Sequence, residues 1–262
     1  MPAFDSNGVQ INYTVDGDGP AIVLVHGFAS SLQGNWRAPG IIDALVNDGR
    51  MAVALDCRGH GRSGKPHDSE AYGESKMPDD VIALMDLLDI DTADLMGYSM
   101  GGFIASALMV NHPERFRSVI LAGVGDAVLN RSGVAMSERA AAIASALEAP
   151  PGAASENDTA RGFRIFAERT GNNLGALAAL QKSRSRHSFD ASKLGETTLP
   201  VMVLIGEDDT LVGSGDKLTA SIPGATLVKV PGDHLTAVGA PELKRATLDF
   251  LTKHSPVASA SS

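Results

Sequence analysis

The chain has 262 residues, 44% hydrophobic and 20% charged, the composition of a globular domain with a sizeable core to bury. Its formal net charge of -9 argues against a nucleic-acid partner, since no basic stripe is available to neutralise phosphates, and no apolar run is long enough to span a bilayer. Cys57 is the only cysteine, which excludes an intrachain disulfide, and Met1-Pro2-Ala3-Phe4-Asp5 lacks the basic and apolar regions of a secretory signal, so a cytoplasmic location is expected.

Ser6-Asn7-Gly8 is a hairpin turn signal, and Val9-Gln10-Ile11-Asn12-Tyr13-Thr14-Val15 alternates apolar and polar with period two. Asp16-Gly17-Asp18-Gly19-Pro20 then turns the chain into Ala21-Ile22-Val23-Leu24-Val25, continuously apolar as a strand buried on both faces should be. Residues 41–46 suggest a helix and 51–55 a strand. Residues 78–88 carry Val81, Leu84, Met85 and Leu88 at helical spacing, with Asp79 and Asp80 in the first turn. A buried strand over 92–96 and a buried helix over 103–110 flank Gly97-Tyr98-Ser99-Met100-Gly101, and another strand covers 118–122. Alternating strands and helices predict an α/β fold with a mainly parallel sheet covered on both sides.

That rhythm stops after residue 124. Ala-rich helical stretches at 137–147, 159–169 and 174–182 follow, with no strand-like run between 125 and 199. An all-helical insertion of this size is expected to form a lid or cap over the strand ends. The sheet pattern resumes with a strand at 200–205, a helix near Leu218, a strand at 226–230 and a helix at 241–253. The expected organisation is a core of residues 1–124 and 200–254, a helical cap of 125–199, and a disordered tail of 255–262, small and polar.

A serine in a turn between a buried strand and a buried helix is held in a strained backbone conformation, and small residues two before and two after it relieve the crowding. The turn also aims the helix N-terminus at any oxyanion formed beside Ser99. A hydroxyl needs a base to become nucleophilic, and the base needs a carboxylate to fix its tautomer. Gly206-Glu207-Asp208-Asp209 follows the strand at 200–205, and Gly232-Asp233-His234 follows the strand at 226–230. Parallel strands bring their C-terminal ends to one edge, so Ser99, one of Asp208 and Asp209, and His234 are expected to meet there. Asp126, just past another strand, is a further candidate for the acid, whereas Asp233 reads as a loop residue.

The blander residues fit around this set. His26 and His60 sit in glycine turns, where an imidazole hydrogen-bonds loop backbone, and His67, His112, His187 and His254 lie in polar or terminal segments exposed to solvent. Cys57, at a strand end, reads as a small buried thiol. Asp16-Gly17-Asp18-Gly19 resembles a fragment of a calcium loop but lacks the remaining ligands. No metal-ligand spacing and no nucleotide-binding glycine loop occurs, so neither metal nor cofactor is expected.

Taken together, these motifs resemble the α/β-hydrolase fold family, in its capped, serine-nucleophile branch, over nearly the whole chain. His26-Gly27-Phe28 resembles the family's oxyanion loop, and Asp56-Cys57-Arg58-Gly59-His60-Gly61-Arg62-Ser63 its signature turn. Gly97 to Gly102 resembles the nucleophile elbow, including an extra glycine shared by some esterases, haloperoxidase-like enzymes and lactonases. The resemblance implies a sheet of about eight strands with the cap inserted after the sixth. It selects Asp209 as the acid, by the pattern G-x-x-D, while some relatives place the acid at the position of Asp126. It also implies oxyanion donation by the backbone N–H groups of Phe28 and Met100, the latter expected from helix geometry as well, with His26, Gly27, Gly97 and Gly101 supporting the elbow and loop. Phe163 and Phe166 are candidates for the substrate pocket. The activity implied is hydrolysis of a small-molecule carboxylic ester through an acyl-enzyme. A lactonase and a C–C bond hydrolase share the same triad, haloperoxidase or perhydrolase chemistry is a side reaction of similar sites, and some relatives only bind and signal. Haloalkane dehalogenases and epoxide hydrolases place Asp at the elbow, and Phe28-Ala29 departs from the H-G-x-P pattern of the latter.

Overall fold

A computed structural model describes residues 2–73, 75–130, 133–153, 156–184 and 190–257. The chain opens on strands β1 (Ala3–Ser6) and β2 (Val9–Asp16), joined at Asn7 and Gly8, whose φ angles of 51° and 81° are those of a type I′ hairpin turn. Strands β3 (Ala21–Val25), β4 (Met51–Leu55), β5 (Ala93–Tyr98), β6 (Phe116–Ala122), β7 (Val201–Gly206) and β8 (Thr226–Val230) complete an eight-stranded sheet ordered β1-β2-β4-β3-β5-β6-β7-β8. β1 and β2 pair antiparallel, β2 runs antiparallel to β4, and every pairing from β4 to β8 is parallel. β3, β5 and β7 are buried at every residue because helices cover both faces, whereas the edge strand β8 is half exposed.

Alternation within each strand splits the core into two layers. Val23, Val25, Leu95, Val119 and Val203 pack with α2 (Lys76–Leu87) and α3 (Met100–Asn111). Ile22, Leu24, Met96, Ile120 and Met202 face the other way, against α1 (Ile41–Asn47) and α8 (Pro241–His254). The short α7 (Asp216–Ser221) buries Leu218 in the first layer.

Between β6 and β7 the described residues are helical throughout their regular elements, with α4 (Val134–Glu148), α5 (Asp158–Arg169) and α6 (Leu174–Arg184). Arg164 of α5 is buried and donates to the Ala146 and Ala149 carbonyls, each at 2.6 Å, so its cation covers the negative end of α4. Ser255 departs from the disorder expected of the tail. It is buried, its carbonyl accepting from Arg50 at 2.9 Å and its hydroxyl from Arg117 at 3.0 Å, because two arginines at the N-terminal edge of the sheet need acceptors. Residues 258–262 of that tail, and His187, lie outside the described residues. Among the described residues no helix is long and apolar enough to cross a membrane.

Candidate active site

β5 ends at Tyr98, and Ser99 turns directly into α3 with φ 52° and ψ -109°, a conformation that costs a side-chain-bearing residue energy and needs its surroundings to hold it. The glycines supply that hold. A Cβ on Gly97 would lie 2.1 Å from the Gly101 carbonyl oxygen, and one on Gly101 would lie 1.9 Å from that of Val25. Only bare backbone allows β3, β5 and α3 to converge so closely, and the convergence lifts the Ser99 hydroxyl clear of the sheet.

Ser99 Oγ lies 2.9 Å from His234 Nε2, and His234 Nδ1 lies 2.7 Å from Asp209 Oδ2. A carboxylate only accepts, so Nδ1 carries the proton and Nε2 presents its lone pair to the hydroxyl. The Asp209 side chain is fully buried, and its other oxygen accepts from the Leu211 amide at 3.0 Å. Tyr98 fixes the other side of His234, donating its hydroxyl to the His234 carbonyl at 2.8 Å. Burial, reinforced by Asp209 and Asp233, pushes the Tyr98 phenol well above its ordinary pKa, so it remains a donor.

The rival acids make no hydrogen bond to the His234 ring, which bonds Asp209. Asp208 is exposed. Asp126 Oδ1 accepts from the Lys217 and Leu218 amides, each at 3.0 Å, and so caps α7 from outside that helix. Asp233 closes its own turn on the Leu235 and Thr236 amides, and the Thr236 hydrogen bonds hold its carboxyl below the usual carboxylate range.

The loop after β3 is built as tightly. His26 is fully buried, with Nδ1 2.8 Å from the Gly27 carbonyl and Nε2 accepting from the Cys57 amide at 3.0 Å. Desolvation lowers its pKa, against the pull of Asp56, so the ring is neutral. Asp56 ties three segments together through Asn12 Nδ2, the Leu32 amide and the Arg62 amide. Asn35 Oδ1 accepts from the Gly27 amide at 2.7 Å. Among the described residues, neither the Phe28 nor the Met100 amide is spent on a protein acceptor, which leaves both free to donate at the mouth of the elbow.

Two small lobes of cavity meet at this point, and Phe28, Ser99, Phe163 and His234 line both. The larger, with a free volume of about 60 Å³, extends beneath α4 and α6, where Met136, Arg139, Ile143 and Gln181 face it. The other, of about 30 Å³, reaches Asn35, Tyr98 and Phe166. Phe163 stands edge-on to Phe28, with ring centroids 5.6 Å apart. Each lobe as it stands holds few waters.

All the residues picked out by motif thus gather at one edge of the sheet, together with Phe163 and Phe166 from the helical segment. Tyr98, Asn35, Arg139, Gln181 and the pair Thr170–Asn172 are additions. Asn172 Nδ2 donates to the Ala29 carbonyl at 2.8 Å and to Thr170 Oγ1 at 2.9 Å, and Thr170 Oγ1 lies 2.9 Å from that same carbonyl. Ala29 follows Phe28 directly and has φ 56°, so the turn after α5 clamps a strained residue of the loop after β3. The sequence did hold a signal for Arg139. It shares a helical face with Met136, Ala140 and Ile143, an isolated cation on an otherwise apolar stripe.

A family model described as alpha/beta hydrolase fold matches residues 20–198, more than half of the chain. An epoxide hydrolase of Caballeronia sordidicola is 35% identical over 114 residues, 44% of this chain and 34% of that protein. A 2-hydroxymuconate semialdehyde hydrolase of a Pseudomonas species is 34% identical over 118 residues, 44% of this chain and 40% of that protein. The matched region is therefore well under half the length of either curated relative. Among solved structures, the enol-lactonase of Burkholderia xenovorans is similar at 26% identity and TM-score 0.73, over 96% of this chain and 100% of that one.

Proposed function

The chain belongs to the α/β hydrolase fold family, and from that premise we propose that it is a serine hydrolase cleaving carboxylic esters of small to medium size. The observation that carries this reading is the run of contacts from Ser99 Oγ to His234 at 2.9 Å and on to Asp209 at 2.7 Å. His234 takes the Ser99 proton as Oγ attacks the ester carbonyl, and Asp209 stabilises the imidazolium that forms. The Phe28 and Met100 amides receive the oxyanion. Collapse of the tetrahedral adduct expels the alcohol, protonated by His234, and leaves Ser99 acylated. Water, deprotonated by the same imidazole, attacks the acyl carbonyl and releases the acid. The helical segment 125–199 acts as the cap, and Phe163 and Phe166 contact substrate.

Likeness to an epoxide hydrolase does not carry that reaction over to this chain. A serine alkoxide opening an epoxide would form an ether, which offers water no carbonyl to attack, whereas an acyl-serine does. A lactone is an internal ester that the same attack opens, and the full-length likeness to an enol-lactonase favours lactones as a second substrate class.

Labelling with a fluorophosphonate, alongside turnover of p-nitrophenyl acetate and a panel of esters, lactones and dienone diketones, tests the reading. Wild type should label and turn over, and Ser99→Ala should lose labelling and at least about 10⁴-fold in kcat. An unlabelled, inactive wild type would instead favour a protein that binds and signals, and a Ser99→Ala variant that still labels would move the nucleophile elsewhere.

A further inference from the structure

The larger lobe over Ser99 is walled mainly by apolar groups, among them Phe103, Ile143, Phe163 and Val212, yet two polar side chains line it besides Ser99 and His234. Arg139, from α4, spends one N–H on the Leu211 carbonyl at a long 3.3 Å and makes no ion pair among the described residues. Gln181, from α6, is 3% exposed and has no hydrogen-bond partner among them. The Gln181 amide borders the lobe and is open to it rather than sealed in the core, and a cation facing mainly apolar walls gains from a counter-charge. Both side chains therefore offer N–H donors to whatever enters the lobe.

We propose that Arg139 and Gln181 form a carboxylate subsite, and that the substrate is an ester or lactone carrying a free carboxylate within reach of the scissile carbonyl. This rests on the hydrolase reading of Ser99 and names its substrate class. A guanidinium presents paired N–H donors matched to the two oxygens of a carboxylate, and the Gln181 amide adds a further donor from the neighbouring helix. One guanidinium balances one negative charge, which suits a carboxylate better than a phosphate monoester. The net charge of -9 repels anions at long range, so any preference for an acid has to arise from a local cation. The volume of this lobe, about 60 Å³, favours a short link between carboxylate and ester.

The test separates binding from turnover. Calorimetry on the Ser99→Ala protein compares monomethyl succinate, monomethyl glutarate and acetoxyacetic acid, each with its fully methylated ester. The best acid should bind about 10- to 100-fold more tightly than its ester, the range of a hydrogen bond to a charged group. Adding Arg139→Gln should abolish that ratio, and Arg139→Lys should keep part of it. Equal or weaker binding of every acid overturns the subsite, as does a preference that survives Arg139→Gln. If Arg139→Gln does not fold, the acid-to-ester ratio in Ser99→Ala alone decides. Wild-type turnover of the same compounds, followed by acid release, reads the hydrolase proposal separately: tight acid binding without turnover keeps the subsite and removes the hydrolase.

Discussion

Under Ser99 the backbone is packed until no atom could be added, whereas the helices above it leave room. A Cβ on Gly101 would lie 1.9 Å from a carbonyl oxygen of β3, while one on Gly162, in the middle of α5, would have no atom within 4 Å. β3 and β5 are buried at every residue, but α5 buries only Ala160, Arg164 and Ala167. Ser99 therefore stands on a rigid edge, and the helical layer above it, the proposed roof, is held mainly by α4, α6 and a few polar ties such as Asn172 to Ala29. The contrast suits the proposed hydrolysis, whose chemistry needs fixed geometry and whose substrate needs an entrance, since lobes this small admit an ester only if the helices above yield.

The largest effect belongs to the rigid side. Gly101→Ala drives a methyl group into backbone on β3, where no flexible side chain can give way, and should cost more than about 4 kcal/mol, enough to prevent accumulation of folded protein. Soluble yield and the urea midpoint read it directly. A variant that folds with a midpoint near that of wild type would show that the close approach of α3 to β3 is not required.

The same contrast separates what the sequence disclosed from what it withheld. The apolar run Ala21-Ile22-Val23-Leu24-Val25, the alternation in β2 and the glycines around Ser99 announce the sheet and the elbow, because burial and close packing dictate residue type at those positions. Order along parallel strands then brings Ser99, Asp209 and His234 to one edge. Asp126 could not be dismissed from sequence, since its use as a cap for α7 depends on how the loop after β6 lies against a helix some 90 residues later. The ties between Asn172, Thr170 and Ala29 were invisible for the same reason: they join segments over 140 positions apart and use residue types common in any loop. Arg139 was legible in principle, as a cation on an apolar stripe, but which cavity that stripe faces is a tertiary fact.

His26 ties the rigid side to pH. Its folded pKa is lowered from 6.5 by burial, so below pH 6.5 the unfolded chain binds a proton that the folded chain refuses. Its contribution to stability is complete above 6.5 and is lost as pH falls from there toward the folded value, at a slope of up to about 1.4 kcal/mol per pH unit. Protonation would also remove the acceptor of the Cys57 amide. Urea midpoints between pH 7.5 and 5 should fall with acidification, and the imidazole resonances of one histidine should remain in the neutral position. A flat profile over that range would contradict a neutral, buried His26.

At the boundary of the two regions, Thr170→Val with Asn172→Ala removes both contacts to the Ala29 carbonyl and frees a strained residue beside Phe28, the proposed oxyanion donor. Complete loss of an oxyanion donor costs about 10²–10³ in rate, so a loosened one should cost about 10-fold, mainly in kcat. Steady-state kinetics on the best ester of the panel would measure this. An unchanged kcat with a raised KM would place the clamp in substrate binding and leave the oxyanion loop independent of the roof.

The smallest effect has the opposite sign and belongs to the roof. Gly162 lies within α5, has no positive φ, and is exposed, so glycine there lowers helix stability without meeting any packing need. Gly162→Ala should stabilise α5 by about 0.5–1 kcal/mol, partly by restricting the unfolded chain. If the roof must loosen to admit substrate, the gain should come with a modest fall in kcat/KM. Hydrogen exchange in α5 reads the first effect, and kinetics the second. Slower exchange with unchanged kinetics would mean that substrate enters without disturbing α5, and would assign the yielding element to α4, where Met136 and Arg139 face the cavity.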